Sequence, residues 1–131
     1  MADDTVAVAG VLEVADRLFR AIEAGRVDVV AELYAADAVI WHNHDGVEQT
    51  RDENLRTLRW LVDNLAGVRY TDVRRSATAT GFVQQHVLCV TNRAGTDVQI
   101  PACIVATVED GRITRLEEYL DSRHIDRLVA R

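Results

Sequence analysis

Apolar residues recur every three or four positions through Val8, Val11, Leu12, Ala15, Leu18, Phe19 and Ile22, the spacing of one helix face. Gly25 follows, where a helix can end in a left-handed turn. This predicts a first helix over residues 5 to 24. A short second helix is expected from Asp28, as its cap, carrying Val30, Ala31, Leu33 and Tyr34. Ala38 to His42 then turns to strand-forming types. Thr50-Arg51-Asp52-Glu53 has the T-x-x-E form of a capping box, and Leu55, Leu58, Leu61, Val62 and Leu65 follow on one face up to Gly67. Beyond Gly67 the helical period is lost. Residues 68 to 120 read as four strands, 68–76, 82–91, 98–108 and 112–120, with breaks at Gly81, Gly95 and Gly111. A last short helix is expected after Ser122.

Glu109-Asp110-Gly111-Arg112 is the strongest turn signal, because Asp-Gly suits a two-residue hairpin whose central residues need positive φ. Pairing Glu109 with Arg112 sets a register in which Val108 opposes Ile113, Ile104 opposes Glu117, Ala102 opposes Tyr119 and Ile100 opposes Asp121. Opposed residues share a face. An apolar strand would thus lie beside Arg115, Glu117, Tyr119 and Asp121 on the side the helices cover, a mixture that suits a ligand pocket better than a plain core. The element order predicts an α+β fold, a curved and mostly antiparallel sheet with the N-terminal helices on its concave side.

At 131 residues the chain is expected to be one domain, residues 1 to 131. Its 48% hydrophobic and 27% charged residues match globular averages. Apolar runs stop well short of the ~20 residues that cross a bilayer. Asp3-Asp4 near the start is unlike a secretory leader, so a cytoplasmic protein is expected. All 15 basic residues are arginine, which excludes mechanisms built on a lysine Schiff base or a phosphate-loop lysine. A net charge of −6 argues against nucleic acid as a partner. Cys89 and Cys103, fourteen apart and without a C-x-x-C, read as reduced core or interface residues.

Ala24-Gly25, the stretch Leu33-Tyr34-Ala35-Ala36-Asp37-Ala38-Val39, and Gly111-Arg112-Ile113 running to Tyr119-Leu120-Asp121 resemble the nuclear transport factor 2-like superfamily. Within it they are similar to the SnoaL-like group of polyketide cyclases, ketosteroid isomerases and limonene epoxide hydrolases. The resemblance implies a cone-shaped domain over almost the whole chain. Carried over residue by residue, it mostly subtracts. The isomerases' carboxylate base falls at His42, and their oxyanion donors fall at Leu18 and in the apolar run Ala102-Cys103-Ile104, so that oxyanion hole is absent. The epoxide hydrolases' two aspartates and bridging arginine are reduced to Asp121, since the third-strand places fall at His86 and Leu88. A cyclase-like pair, His86 and Asp121, survives.

Asp121 is therefore weighed as a pocket acid/base against a cap for the last helix. His86, opposite the Ala102 to Ile104 region, is weighed as a pocket group against a core histidine. His42-Asn43-His44-Asp45 has two imidazoles on one side of an extended chain, but no third ligand at metal spacing accompanies them, so no metal is expected. His42 faces inward in one setting of the strand, and Trp41 with Asn43 in the other. Tyr34, Trp60, Glu117 and Tyr119 complete the candidate ligand contacts. The expected function is cofactor-free acid/base chemistry, as an isomerase, cyclase or hydrolase, on a small apolar polyketide- or terpene-like molecule, with Asp121 and either His86 or His42 as proton carriers. The alternative is a binding or scaffold domain without catalysis. Val87, Cys89, Cys103 and Val105 make an apolar outer face, from which a homodimer is expected.

Overall fold

The computed structural model describes residues 2–131, with side chains described from Gly10 onward; Val8, at the head of the first apolar face, lies outside the described side chains. Helix α1 (Ala2–Glu23) ends at Gly25. There φ is +73° and the amides of Gly25 and Arg26 donate to Ile22 and Ala21. Helix α2 (Val27–Leu33) begins without the expected Asp28 cap. Arg26 holds the cap position, and its guanidinium draws the Asp28 carboxylate into two hydrogen bonds of 3.0 and 2.8 Å. Tyr34, expected in that helix, instead opens strand β1 (Tyr34–His42). A three-residue strand β2 (Glu48–Thr50) carries no signal in the sequence and leads into α3 (Arg51–Asn64). The Thr50–Glu53 capping box forms as expected.

Strands β3 (Ala66–Ala77), β4 (Gly81–Thr91), β5 (Asp97–Glu109) and β6 (Arg112–Leu120) follow, then α4 (Arg123–Val129). The six strands form one curved, unclosed sheet in the order β2-β1-β6-β5-β4-β3, antiparallel except where β1 runs parallel to β6. The helices cover its inner face. Leu18 and Phe19 of α1, Val30 and Leu33 of α2, and Leu55 of α3 pack on Ile40, Phe82, Ile104, Ile113 and Leu116. Among the described residues no helix is long and apolar enough to cross a membrane.

The β4–β5 hairpin sets His86 opposite Ala102, as the sequence predicts. The β5–β6 hairpin turns at Asp110 and Gly111, both at positive φ, and begins with the expected pairs Glu109–Arg112 and Val108–Ile113. It then departs. A bulge at Thr114 slips the register by one, so that Thr107 meets Arg115, Ile104 meets Glu118 and Ala102 meets Leu120. A one-residue slip exchanges the two faces of a strand. Leu116, Glu118 and Leu120 therefore point under the helices, and Arg115, Glu117, Tyr119 and Asp121 lie outside.

Candidate active site

The slip brings a different carboxylate into the fold. Glu118 pairs across the parallel β1–β6 ladder with His42, so both side chains enter the same inner space. His42 Nε2 lies 3.2 Å from Glu118 Oε1, with only 16% and 17% of the two side chains exposed. Burial pulls the His42 pKa down, but the hydrogen bond and charge of Glu118, with the charge of Asp45, outweigh it and raise the pKa above the ordinary histidine value. Their surroundings form a cavity of about 350 Å³, within the usual size of small-molecule sites. Leu18 and Phe19 of α1, Leu58 and Leu61 of α3, and Ile100 and Ile104 of β5 supply apolar walls, and Ile125 and Leu128 of α4 border it.

Four of the further polar residues lining this space form a hydrogen-bonded chain. The Tyr34 hydroxyl donates to Asn54 Oδ1 at 2.8 Å, Asn54 Nδ2 donates to Gln49 Oε1 at 3.0 Å, and Gln49 Nε2 donates to Thr57 Oγ1 at 3.2 Å. Burial, and then the Glu118 charge, push the Tyr34 hydroxyl well above the usual phenol range. Tyr70, from β3, borders the cavity too, and its hydroxyl pKa is raised first by burial and then by Glu118.

His86 is buried but does not border the cavity. Its ring sits behind Phe19 and Tyr70, at centroid distances of 5.4 and 4.7 Å, and its Nδ1 is 2.8 Å from the Gln84 amide. Burial lowers its pKa, Glu118 opposes that and Arg75 adds to it. Tyr34 and Trp60 line the cavity, as does His44. The other candidates fall elsewhere. Asp121 is exposed, accepts the Arg123 amide at 3.0 Å and its guanidinium at 2.8 Å, and is held at a pKa of about 2 by that guanidinium. It accepts the first amide of α4, whose cap position is held by Ser122. Glu117 is engaged by Arg115 on the outer face. Trp41 and Tyr119 pack on each other there, 5.2 Å between rings, which settles the β1 setting with His42 inward. Asn43 ties strand ends together, its Oδ1 accepting the Leu120 amide at 2.9 Å.

Glu118, Tyr70, Asn54 and Gln49 are absent from the sequence-based set. Asn54 did leave a trace, because it stands on the stripe of Leu58, Leu61 and Leu65 and is the polar member of an apolar face. Glu118 left none, since its facing depends on the bulge. Among the described residues no three metal-binding side chains cluster.

A SnoaL-like domain model matches residues 15–116, and the chain belongs to that family. A search of curated proteins finds no match. Among solved structures, a candidate polyketide cyclase from Xanthomonas campestris pv. campestris superposes with a TM-score of 0.81 at 18% identity, covering 93% of this chain and 98% of that one. An LEH-like epoxide hydrolase from M. tuberculosis gives 0.77 at 18% identity, with 94% and 91% covered. A nuclear transport factor 2-like protein of unknown function from Burkholderia pseudomallei gives 0.81 at 18% identity, with 93% and 98% covered. These likenesses establish the nuclear transport factor 2-like fold.

Proposed function

We propose that this single-domain protein binds a small, largely apolar organic molecule in the cavity and moves a proton on it with Glu118 and His42. The supporting observation is the carboxylate–imidazole pair set among apolar walls. Glu118 Oε1 is taken by His42, and Oε2 has no hydrogen bond from a described residue, leaving one lone-pair face for a substrate proton. The raised His42 pKa favours an imidazolium that keeps Glu118 ionised and can return the proton to another atom of the ligand. Proton removal and return at two atoms is an isomerisation or cyclisation, and proton removal from water as its oxygen bonds to a ligand carbon, with a proton delivered to a second ligand atom, is a hydration. A polyketide- or terpene-like skeleton suits the apolar walls, and the step itself needs no cofactor. Tyr34 and Trp60 contact the ligand in this reading, whereas His86 supports the Phe19–Tyr70 wall.

Leu18, Ala102 and Ile104 favour a second reading, binding without turnover, because none of these cavity-lining side chains can stabilise an oxyanion. Native mass spectrometry of the purified protein should reveal a co-purifying small molecule, and extracts containing it should be turned over by the wild type. Glu118→Gln should slow turnover by about 10²–10⁴, the usual worth of a positioned acid/base group, while Asp121→Asn leaves it unchanged. Retained ligand with no turnover by the wild type would establish the second reading. The apolar outer face, with Val105 and Tyr119 exposed, supports a homodimer built across the sheet.

A further inference from the structure

The hydrogen bonds that hold Tyr34 have a direction, and that direction decides what the cavity can bind. The chain ends on helix α3, where the Thr57 hydroxyl lies 3.3 Å from the Glu53 carbonyl oxygen. A carbonyl can only accept, so Thr57 donates there and its oxygen is left to accept from Gln49. Gln49 must then turn its NH₂ to Thr57 at 3.2 Å and its oxygen to Asn54. Asn54 in turn gives its NH₂ to Gln49 at 3.0 Å and its oxygen to Tyr34. The Tyr34 hydroxyl proton is thereby committed to Asn54, at 2.8 Å. What Tyr34 has left for the cavity is a lone pair.

Glu118, whose charge also reaches Tyr34, has the same sense. Glu118 is a carboxylate whose one protein partner, His42, spends its Nε2 proton on Oε1. His86 Nε2 is a buried donor with no partner, but the residue does not border the cavity and Phe19 and Tyr70 stand before it. The Tyr70 hydroxyl rotates and can act in either sense, so it does not discriminate. We propose that the cavity selects molecules that bring their own donor, a hydroxyl or amine on an otherwise apolar skeleton, over the matching ketone or ether. Set against the Tyr34 oxygen or Glu118 Oε2, a ketone oxygen would meet an acceptor, and a buried lone pair without a donor loses the hydrogen bonds it had in water. This rests on the cavity being a small-molecule site, and it narrows the class of that molecule.

Menthol, menthone and menthyl methyl ether share one skeleton and differ in a single oxygen, which makes them suitable probes. Titrated into the purified protein and followed by calorimetry or by shifts of the cavity-lining amides, menthol should bind about tenfold or more tightly than the other two, the effect of one unmade buried hydrogen bond. Tyr34→Phe keeps the ring and removes the lone pair, and should bring the preference down several-fold. Thr57→Val, at an exposed position, removes the group that orients the chain and should do the same in part, so the test survives if the tyrosine variant does not fold. Menthone binding as tightly as menthol, or a preference unchanged in both folded variants, would overturn the donor rule while leaving the cavity a ligand site. Absence of binding by all three would overturn the rule together with the ligand-site reading beneath it.

Discussion

Two histidines on the inner side of the sheet are driven in opposite directions by their neighbours. For His42, burial is outweighed by Glu118 and Asp45, and the pKa rises; for His86, burial and Arg75 outweigh Glu118, and it falls. A raised histidine pKa contributes stability that is fully present below the unfolded value of ~6.5 and is lost as pH rises through the folded value. A lowered one works the other way, and its stabilisation is lost as pH falls through the folded value. The stability advantage of wild type over Glu118→Gln, measured by urea unfolding, should therefore be larger at pH 6 than at pH 8.5. NMR titration should place His42 above ~6.5 and His86 below it. Two coincident titrations near the free value would mean that neither environment is as described. Asp121 illustrates why residue type alone misleads: a carboxylate beside a strand end reads as a pocket acid until its Arg123 partner is seen.

At the scale of elements, the tightest point is the entry to β4. An added Cβ at Gly81 would overlap the Ala106 carbonyl oxygen across the β4–β5 ladder, and backbone cannot give way as a side chain can. The same residue closes the preceding turn, its amide donating to Thr78 Oγ1 at 3.0 Å and its carbonyl accepting from the Thr78 amide at 2.8 Å. Gly81→Ala is expected to cost about 3 kcal/mol or more, at the upper end of overpacking losses. Denaturant unfolding checks this, and a loss under ~1 kcal/mol would show that the strands separate there more readily than the ladder implies. The β6 bulge is the other decisive element. One unpaired residue at Thr114 turns Glu118, and not Glu117, to the inner face, and a separate irregularity of the β1–β6 ladder between Tyr34 and Val39 sets it opposite His42.

Across the whole molecule, one face of the sheet is roofed by helices and the other is bare. Trp41 and Tyr119 pair on the bare face, Val105 is 38% exposed, and Val87 and Cys103 are half-buried beside them. Covering this surface with a second copy removes apolar area from water. Light scattering at micromolar concentration is expected to give twice the 14.6 kDa of one chain. The double variant Val105→Arg/Tyr119→Arg should return it to one chain without unfolding it, because both positions are exposed. A wild-type mass of one chain would remove the dimer.

Much of this architecture is written locally. Helix α3 follows from its capping box and leucine stripe, the β5–β6 turn from Asp110-Gly111, and the inward facing of His86 from strand alternation and a hairpin. Each of these depends on residues a few positions apart, so a sequence pattern can carry it. The pairing of His42 with Glu118 does not. It joins strands separated by most of the chain, in parallel, and it needs a bulge whose position no alternation of apolar and polar residues marks. Glu117, Glu118, Tyr119 and Asp121 are all plausible pocket groups by type. Only the packed sheet, by slipping one residue at Thr114, decides which carboxylate is desolvated against an imidazole and which are left to arginine and solvent.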